Sequence, residues 1–186
     1  LRDLGLLNIF LNTLAIPIFF ALYAAHRQDR HRPYAALAVL IAFLGIGTFY
    51  ATNRAFAMLA LSQQYTAASS AAQRATLEAA GQALLSVGQS HTAGTFLSFF
   101  LTEAAGVMIS WVMGRSRLFG QAAAYTGAFG FGTLAIFEIL SSFVAGFSAV
   151  MMILAMFGGL LSMAWYLLIA RRLFQLGQKS IERSSI

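Results

Sequence analysis

One carboxylic acid stands in the middle of an apolar stretch of the chain. The stretch "GTFLSFFLTEAAGVMISWVM", from Gly94 to Met113, contains a single ionisable residue, Glu103. At about 1.5 Å per residue, such a helix spans the roughly 30 Å hydrocarbon core of a bilayer and carries Glu103 close to its midplane. Because ionisation is costly at that depth, Glu103 is expected to be neutral, partnered or functional.

A second acid and three other polar residues are predicted to share this depth. Glu138 lies in the same outer half of its predicted span, and Asn8 and Asn12 lie one helical turn apart near the start of the first span. Thr102 precedes Glu103 and belongs to a polar stripe at helical spacing with His91, Thr95 and Ser98. Lipid offers such groups no partners. We therefore predict an intramembrane polar cluster that consists of Glu103, Glu138, Asn8, Asn12 and Thr102.

Two interpretations of this cluster remain open. In the first, Glu103 and Glu138 are protonatable sites that relay protons or capture a cation in an outward-open cavity. In the second, each carboxyl is hydrogen-bonded to Asn8, Asn12, Ser141 or a backbone carbonyl and contributes about 1 kcal/mol of interhelical stabilisation. No intramembrane Lys or Arg is available as a counter-charge.

Most other chemistry is disfavoured by residue type and spacing. The absence of cysteine excludes disulfides, Cys-ligated metals and thiol nucleophiles. His26 and His31 share one loop and His91 lies at an external helix start, which disfavours bis-histidine haem ligation and leaves His91 as a surface ligand at most. No protease, zincin or phosphate-loop pattern is present. We expect a non-enzymatic protein without a metal, with bound lipids or a lipophilic cofactor at a helix interface as the remaining ligands.

The composition is that of a multi-pass membrane protein. Of 186 residues, 59% are hydrophobic and 10% are charged, against about 25% charged in a soluble domain. The sequence predicts an all-α transmembrane bundle in one integral membrane domain, with an external helical loop at 52–93, a cytoplasmic tail at 171–186, and spans at Leu4–Ala25, Tyr34–Ala51, Gly94–Met113, Gln121–Phe143 and Phe147–Ala170.

The distribution of basic residues predicts the orientation. Nine of the twelve cations fall in three connections on one side of the predicted bundle, among them Arg27, Arg30, Arg32, Arg115, Arg117, Arg171 and Arg172. The positive-inside rule makes that side cytoplasmic and places Leu1 outside, and the aromatic residues predicted at the same ends agree with it: Tyr23, Tyr34, Trp111, Tyr125, Trp165 and Tyr166. These cations are expected to contact lipid headgroups or a cytoplasmic partner rather than nucleic acid. Whether a further span precedes Leu1 stays open.

Local patterns predict the packing of the last spans and the structure of the external loop. Small residues suited to close helix approach recur at Ala124/Ala128/Gly132, Ala155/Gly159 and Gly158/Ser162. In the loop, Asn53 is a predicted cap of a first helix, Ser70 with Gln73 has the capping-box form for a second, and Arg74 is spaced to pair with Glu78. Leu77, Ala80, Leu84 and Val87 are predicted to share a face of that second helix.

The loop and its flanks also carry a resemblance. "FYATNRAFAMLALSQQYTAASSAAQRATLEAAGQALL", followed by "MGRSRLF" and "AAAYTGAFGFG", resembles an uncharacterised family of bacterial multi-pass membrane proteins catalogued only as a domain of unknown function. The similarity covers roughly residues 4–146. It implies a protein of the bacterial cytoplasmic (inner) membrane with the fold predicted above, and it implies no activity.

Two functions from different classes fit these observations. The first is an accessory or scaffolding subunit that packs against other membrane proteins, lipids or lipophilic cofactors. The alternative is a small proton-coupled carrier or permease that uses the Glu103 and Glu138 carboxyls.

Overall fold

The regular structure of the chain is helical throughout the part that is described. The computed structural model describes residues 2–86, 92–116, 118–144, 146 and 148–184, with side chains from residue 7 to residue 178 within those ranges. Its helices are α1 (Arg2–Ala25), α2 (Arg32–Thr52), α3 (Ala55–Ala67), α4 (Ala71–Ser86), α5 (Ala93–Ser116), α6 (Gln121–Phe143) and α7 (Ser148–Ser184). The predicted all-α bundle is confirmed.

Five of these helices are long and apolar enough to cross a membrane, as predicted. Helices α1, α2, α5 and α6 have 21 to 24 residues, which suits a hydrocarbon core of about 30 Å. Helix α7 departs from the prediction because it continues through the expected tail to Ser184 as one helix of 37 residues, about 55 Å long. The charged residues that follow Ala170 are good helix formers, so the helix does not end where the apolar run ends.

The long helices pack in a simple spatial order. Helix α5 lies in the middle between α2 and α6, α7 packs on α6, and α1 packs on α2 with smaller contacts to α3 and α7. We call the end where α2 stops and α5 begins the hairpin end, because α3 and α4 pack together there. The opposite end, where α1 and α5 stop, is the loop end.

Glycine allows close approach at several of these interfaces. A Cβ on Gly45 would lie 2.6 Å from the Thr102 Oγ1, and a Cβ on Gly106 would lie 2.4 Å from the Phe131 ring. At the α6–α7 interface, a Cβ on Gly130 would lie 2.9 Å from the backbone nitrogen of Ser162, and a Cβ on Gly158 would lie 2.8 Å from Cγ of Leu134. The predicted small-residue stripes therefore have to be corrected: Gly158/Ser162 lies in the interface, whereas Gly132 and Gly159 face open space.

Trp165 has a different role from the one predicted for it. It was expected in an aromatic belt at the membrane surface, but its side chain is fully buried. Its indole packs edge-on against Phe131, with ring centroids 4.9 Å apart, and lies directly against Gly127. Gly127 leaves room for a large ring, and Trp165 thereby becomes part of the core.

The hairpin of α3 and α4 confirms some of its predicted contacts. The Ser70 hydroxyl accepts a hydrogen bond from the Gln73 N–H at 3.2 Å, which caps α4, and the Asn53 side chain accepts one from the Ala55 N–H at 2.9 Å. The predicted Arg74–Glu78 pair is wrong, because the Arg74 guanidinium donates to the Ala68 carbonyl instead, at 3.1 and 3.3 Å. Val87, expected on the apolar face of α4, lies outside the described residues.

Candidate functional site

The two intramembrane carboxyls lie on neighbouring helices. Glu103 on α5 and Glu138 on α6 are both buried, and α5 packs directly on α6. The Oε2 atom of Glu103 has no hydrogen-bond partner among the described residues. A buried polar atom without a partner is costly, so its presence calls for an explanation other than packing.

The hydrogen bonds expected from a structural role of these acids are not formed in the described part of the chain. Ser141 donates to the backbone carbonyl of Glu138, at 3.2 Å, and not to its carboxyl. The amide of Asn12 donates to the backbone carbonyl of Asn8, at 3.0 Å, within α1. The described hydrogen bonds of Asn12 and Ser141 thus go to backbone carbonyls and not to the two carboxyls, while the predicted alternative of a backbone carbonyl as partner stays a prediction.

The other members of the predicted cluster lie elsewhere. Thr102 points at Gly45 of α2 and donates to the Ser98 carbonyl at 2.8 Å, so it belongs to the α2–α5 interface. Asn8 lines a cavity at the hairpin end. The predicted five-residue cluster thus reduces to the pair Glu103 and Glu138. His91 lies outside the described residues.

A cavity lies at the hairpin end, and its described lining includes Arg54 but neither Glu103 nor Glu138, the residues expected to face an outward-open cavity. It has a volume of about 500 Å³ and is formed where α1, α3 and α4 meet the end of α2 and the start of α5. Arg54, in the short connection between α2 and α3, lines it and donates through Nη1 to the carbonyls of Leu84 and Leu85. The polar stripe predicted on α5 faces this cavity through Thr95 and Ser98.

At the loop end, a buried histidine joins α1 to the end of α5 and to the α5–α6 connection. The Nδ1–H of His26 donates to the Leu22 carbonyl at 2.7 Å, while its Nε2 lies 3.0 Å from the Ser116 hydroxyl. The imidazole also stacks on Phe119, with ring centroids 5.4 Å apart. Desolvation by burial lowers the pKa of His26, although the hydrogen bond to Leu22 and the charge of Asp29 oppose that shift. His26 lies in the connection predicted for it, and its burial there is not signalled by the sequence.

A neighbouring hydrogen-bonded pair, Asp29 and His31, lies in the connection between α1 and α2. The carboxylate of Asp29 accepts hydrogen bonds from the backbone N–H of His31 at 2.8 Å and from its Nδ1 at 2.9 Å. These bonds, the backbone one first, lower the pKa of Asp29. Arg172 adds a link from α7, because its Nε donates to the Leu118 carbonyl at 2.7 Å.

The predicted cationic contacts divide into anchored and free side chains. Arg32 lies over the Tyr23 ring and Arg115 lies over the Trp111 ring, at 5.9 and 5.6 Å from the ring centroids. Arg27, Arg30 and Arg171 are also exposed, and they are placed to meet headgroups or a partner. Arg117 lies outside the described residues.

Helix α7 exposes a continuous apolar face. We define the α7 outer face as Met152, Met156, Gly159, Leu160, Met163, Leu167 and Phe174, which fall within an arc of about 100° at 100° per residue. Its large side chains are each more than half exposed. A Cβ on Gly159 would meet no atom within 4 Å, so this glycine forms a notch in the face.

Comparison of the chain with protein-family models, with curated proteins and with solved structures finds no match in any of the three. The resemblance to a family of unknown function therefore stays a prediction, and the function has to be argued from the geometry.

Proposed function

We propose that this chain is a non-enzymatic membrane protein that acts as an accessory or scaffolding subunit of a larger membrane complex. The observation that carries the proposal is the glycine notch in the α7 outer face. A glycine inside a helix costs about 1 kcal/mol relative to alanine. A Cβ at Gly159 would meet no described atom within 4 Å, so the notch leaves room for the close approach of another helix; Gly47 and Gly132 are open in the same way, but α2 and α6 contain no methionine.

The composition of the same face supports a protein partner over lipid. Three of the seven methionines of the chain, Met152, Met156 and Met163, lie on it and are exposed. Methionine adapts its shape to irregular surfaces and is favoured at binding faces. The face runs from residue 152 to residue 174, which is about 33 Å along the helix and matches the thickness of a bilayer.

The proposal includes a location and an orientation. Arg27, Arg30 and Arg171 at the loop end indicate that this end is cytoplasmic and that the α3–α4 hairpin is external. The resemblance described above suggests the bacterial cytoplasmic membrane. In this orientation the exposed cations are placed to meet anionic headgroups or the cytoplasmic part of the partner.

Photo-crosslinking in native membranes tests the proposal. A photoreactive amino acid at Met156 or Met163 should give one discrete heavier species that contains a second membrane protein. The matched control is the same amino acid at Leu40 or Leu44, which are exposed apolar positions on α2. If Met156 and Leu44 both gave lipid adducts alone, the α7 outer face would be a lipid surface and the proposal would fail.

A second candidate function rests on the acid pair. A buried Glu103 oxygen without a partner among the described residues, with a second buried carboxyl on the neighbouring helix, suits a proton-binding site in a small proton-coupled carrier. The test is proton flux into liposomes that contain the purified protein. Loss of flux in Glu103→Gln but not in Ser142→Ala, which removes another buried unpartnered oxygen of the bundle, would favour the carrier. Equal flux in all three proteins would eliminate it.

A further inference from the structure

We propose that the cavity at the hairpin end binds an anionic amphiphile, a molecule with one carboxylate or phosphate headgroup and an apolar tail. The inference is independent of the proposed partner on α7, because the cavity and the α7 outer face share no residue.

The Arg54 guanidinium has donors left over for a ligand. A guanidinium has five N–H donors, and Arg54 uses the two on Nη1 for the carbonyls of Leu84 and Leu85. Its Nε is buried and has no partner among the described residues. The Nε and Nη2 donors form the edge of the guanidinium that binds a carboxylate or phosphate through two parallel hydrogen bonds, and among the described residues the Nε donor of this edge has no acceptor.

The described residues around Arg54 carry no negative charge. The described residues that line the cavity include no aspartate or glutamate, so the cation meets no counter-ion there. The polar groups beside it are neutral, and they come from Asn8, Asn53, Ser62, Thr95 and Ser98. Hydroxyls and amides donate readily to an anion. An unpaired cation in a partly enclosed space attracts a ligand of opposite charge more strongly than one in water does.

The same cavity has an apolar wall. Phe49, Met58, Leu59, Leu85 and Phe99 line it together with the polar groups. The volume of about 500 Å³ lies within the usual range of small-molecule sites, about 300–1,000 Å³. An inorganic anion alone would leave the apolar wall in contact with water, whereas an acyl chain would cover it. The combination therefore selects a lipid-like anion.

The binding test uses the purified full chain in detergent and three probes. These are dioleoyl phosphatidic acid, which has charge and tails, dioleoyl phosphatidylcholine, which has the same tails without net charge, and inorganic phosphate, which has no tail. In a titration followed by native mass spectrometry, phosphatidic acid should bind at least about tenfold more tightly than either other probe, the step that a charge-assisted bidentate contact supplies.

Three variants assign the effect to the cavity. Arg54→Gln should remove the preference for phosphatidic acid. Arg74→Gln is the matched control, because Arg74 belongs to the same hairpin and also donates to a backbone carbonyl but does not line the cavity. Ser62→Trp keeps Arg54 and fills the cavity from an exposed position of α3. It should also weaken the binding of phosphatidic acid by about tenfold.

The outcomes separate the site from its alternatives. If Arg74→Gln and Arg54→Gln lost the preference for phosphatidic acid equally, the preference would come from surface charge and the proposal would be overturned. Equal binding of phosphatidylcholine would remove the role of the anion, and equal binding of inorganic phosphate would remove the role of the tail. Because Arg54→Gln also releases two carbonyls of α4, Ser62→Trp keeps the test decisive if that variant does not fold.

Discussion

Replacing Gly127 by alanine should destabilise the bundle, although alanine is the better helix former. A Cβ at this position would lie 2.0 Å from the Ser110 Oγ and 2.4 Å from Cδ1 and Nε1 of Trp165, where ordinary contacts are 3.4–4 Å. Trp165 is fully buried against Phe131 and Tyr166, so its ring has no free space to enter. The inserted methyl group must therefore move a helix or force a side chain from its rotamer.

The magnitude follows from two opposing effects. Alanine in place of glycine favours a helix by about 1 kcal/mol. Overpacking a tight core costs about 1–3 kcal/mol and occasionally more, and an overlap beyond 1 Å on a rigid ring belongs at the upper end. We expect a net loss of about 1–2 kcal/mol in the free energy of unfolding.

Denaturant unfolding in mixed micelles, followed by tryptophan fluorescence, measures this loss. The matched control is Gly47→Ala, because a Cβ there meets no atom within 4 Å, and it should gain about 0.5–1 kcal/mol. Ser110→Ala combined with Gly127→Ala should recover part of the loss, since the Ser110 hydroxyl is the nearer obstacle and makes no hydrogen bond among the described residues. If Gly127→Ala were as stable as Gly47→Ala, the account of the α5–α6–α7 packing would be refuted.

Two further predictions concern His26 and Ser70. Burial lowers the pKa of folded His26 below its ordinary value of 6.5, so the unfolded chain takes up the proton first as the pH falls. The free energy of unfolding should therefore decrease below about pH 6.5, by up to about 1.4 kcal/mol per pH unit. His26→Gln should flatten this slope in thermal melts between about pH 5 and 8. An unchanged slope in the variant would place the titration elsewhere. Ser70→Ala removes the cap of α4 and should cost about 1 kcal/mol of local stability, seen as faster amide exchange at the start of α4 while α6 keeps its protection; equal exchange would show that the cap contributes nothing.

The sequence predicts the long helices well because the signal is an average over many residues. The bounds of α6 agree with the prediction at both ends. Hydropathy underestimates α7, since it follows apolarity and not helix propensity, and the segment from Arg171 to Ser184 mixes charged and polar residues with apolar ones but is rich in the good helix formers Arg, Leu, Gln and Lys. The Ser70 cap was predictable for the same reason, because its partner lies three residues away.

Contacts between helices were harder to predict because they depend on which face each helix turns inward. The stripe at Ala128 and Gly132 matched the pattern of an interface, yet Gly127 and Gly130 form it. Trp165 is buried because Gly127, on the face of α6 that lies in this interface, leaves room for its ring. Arg54 is a lone cation in a loop, and the sequence gives no sign of a site there because only the fold brings the cavity walls around it. Glu103 and Glu138 were found because an acid in an apolar run is conspicuous wherever the helices turn.

The central claim, that α7 docks a partner through the notch at Gly159, is tested most directly by filling the notch. The native complex should be extracted into polymer nanodiscs from cells that express the wild type, Gly159→Leu or Gly47→Leu, and its subunits identified and weighed. Both glycines face open space in the chain, so neither change should disturb its fold. We predict that the wild type and Gly47→Leu carry the same membrane partner in a fixed ratio and that Gly159→Leu migrates alone. A partner retained by Gly159→Leu, or a wild type without any partner, would contradict the claim.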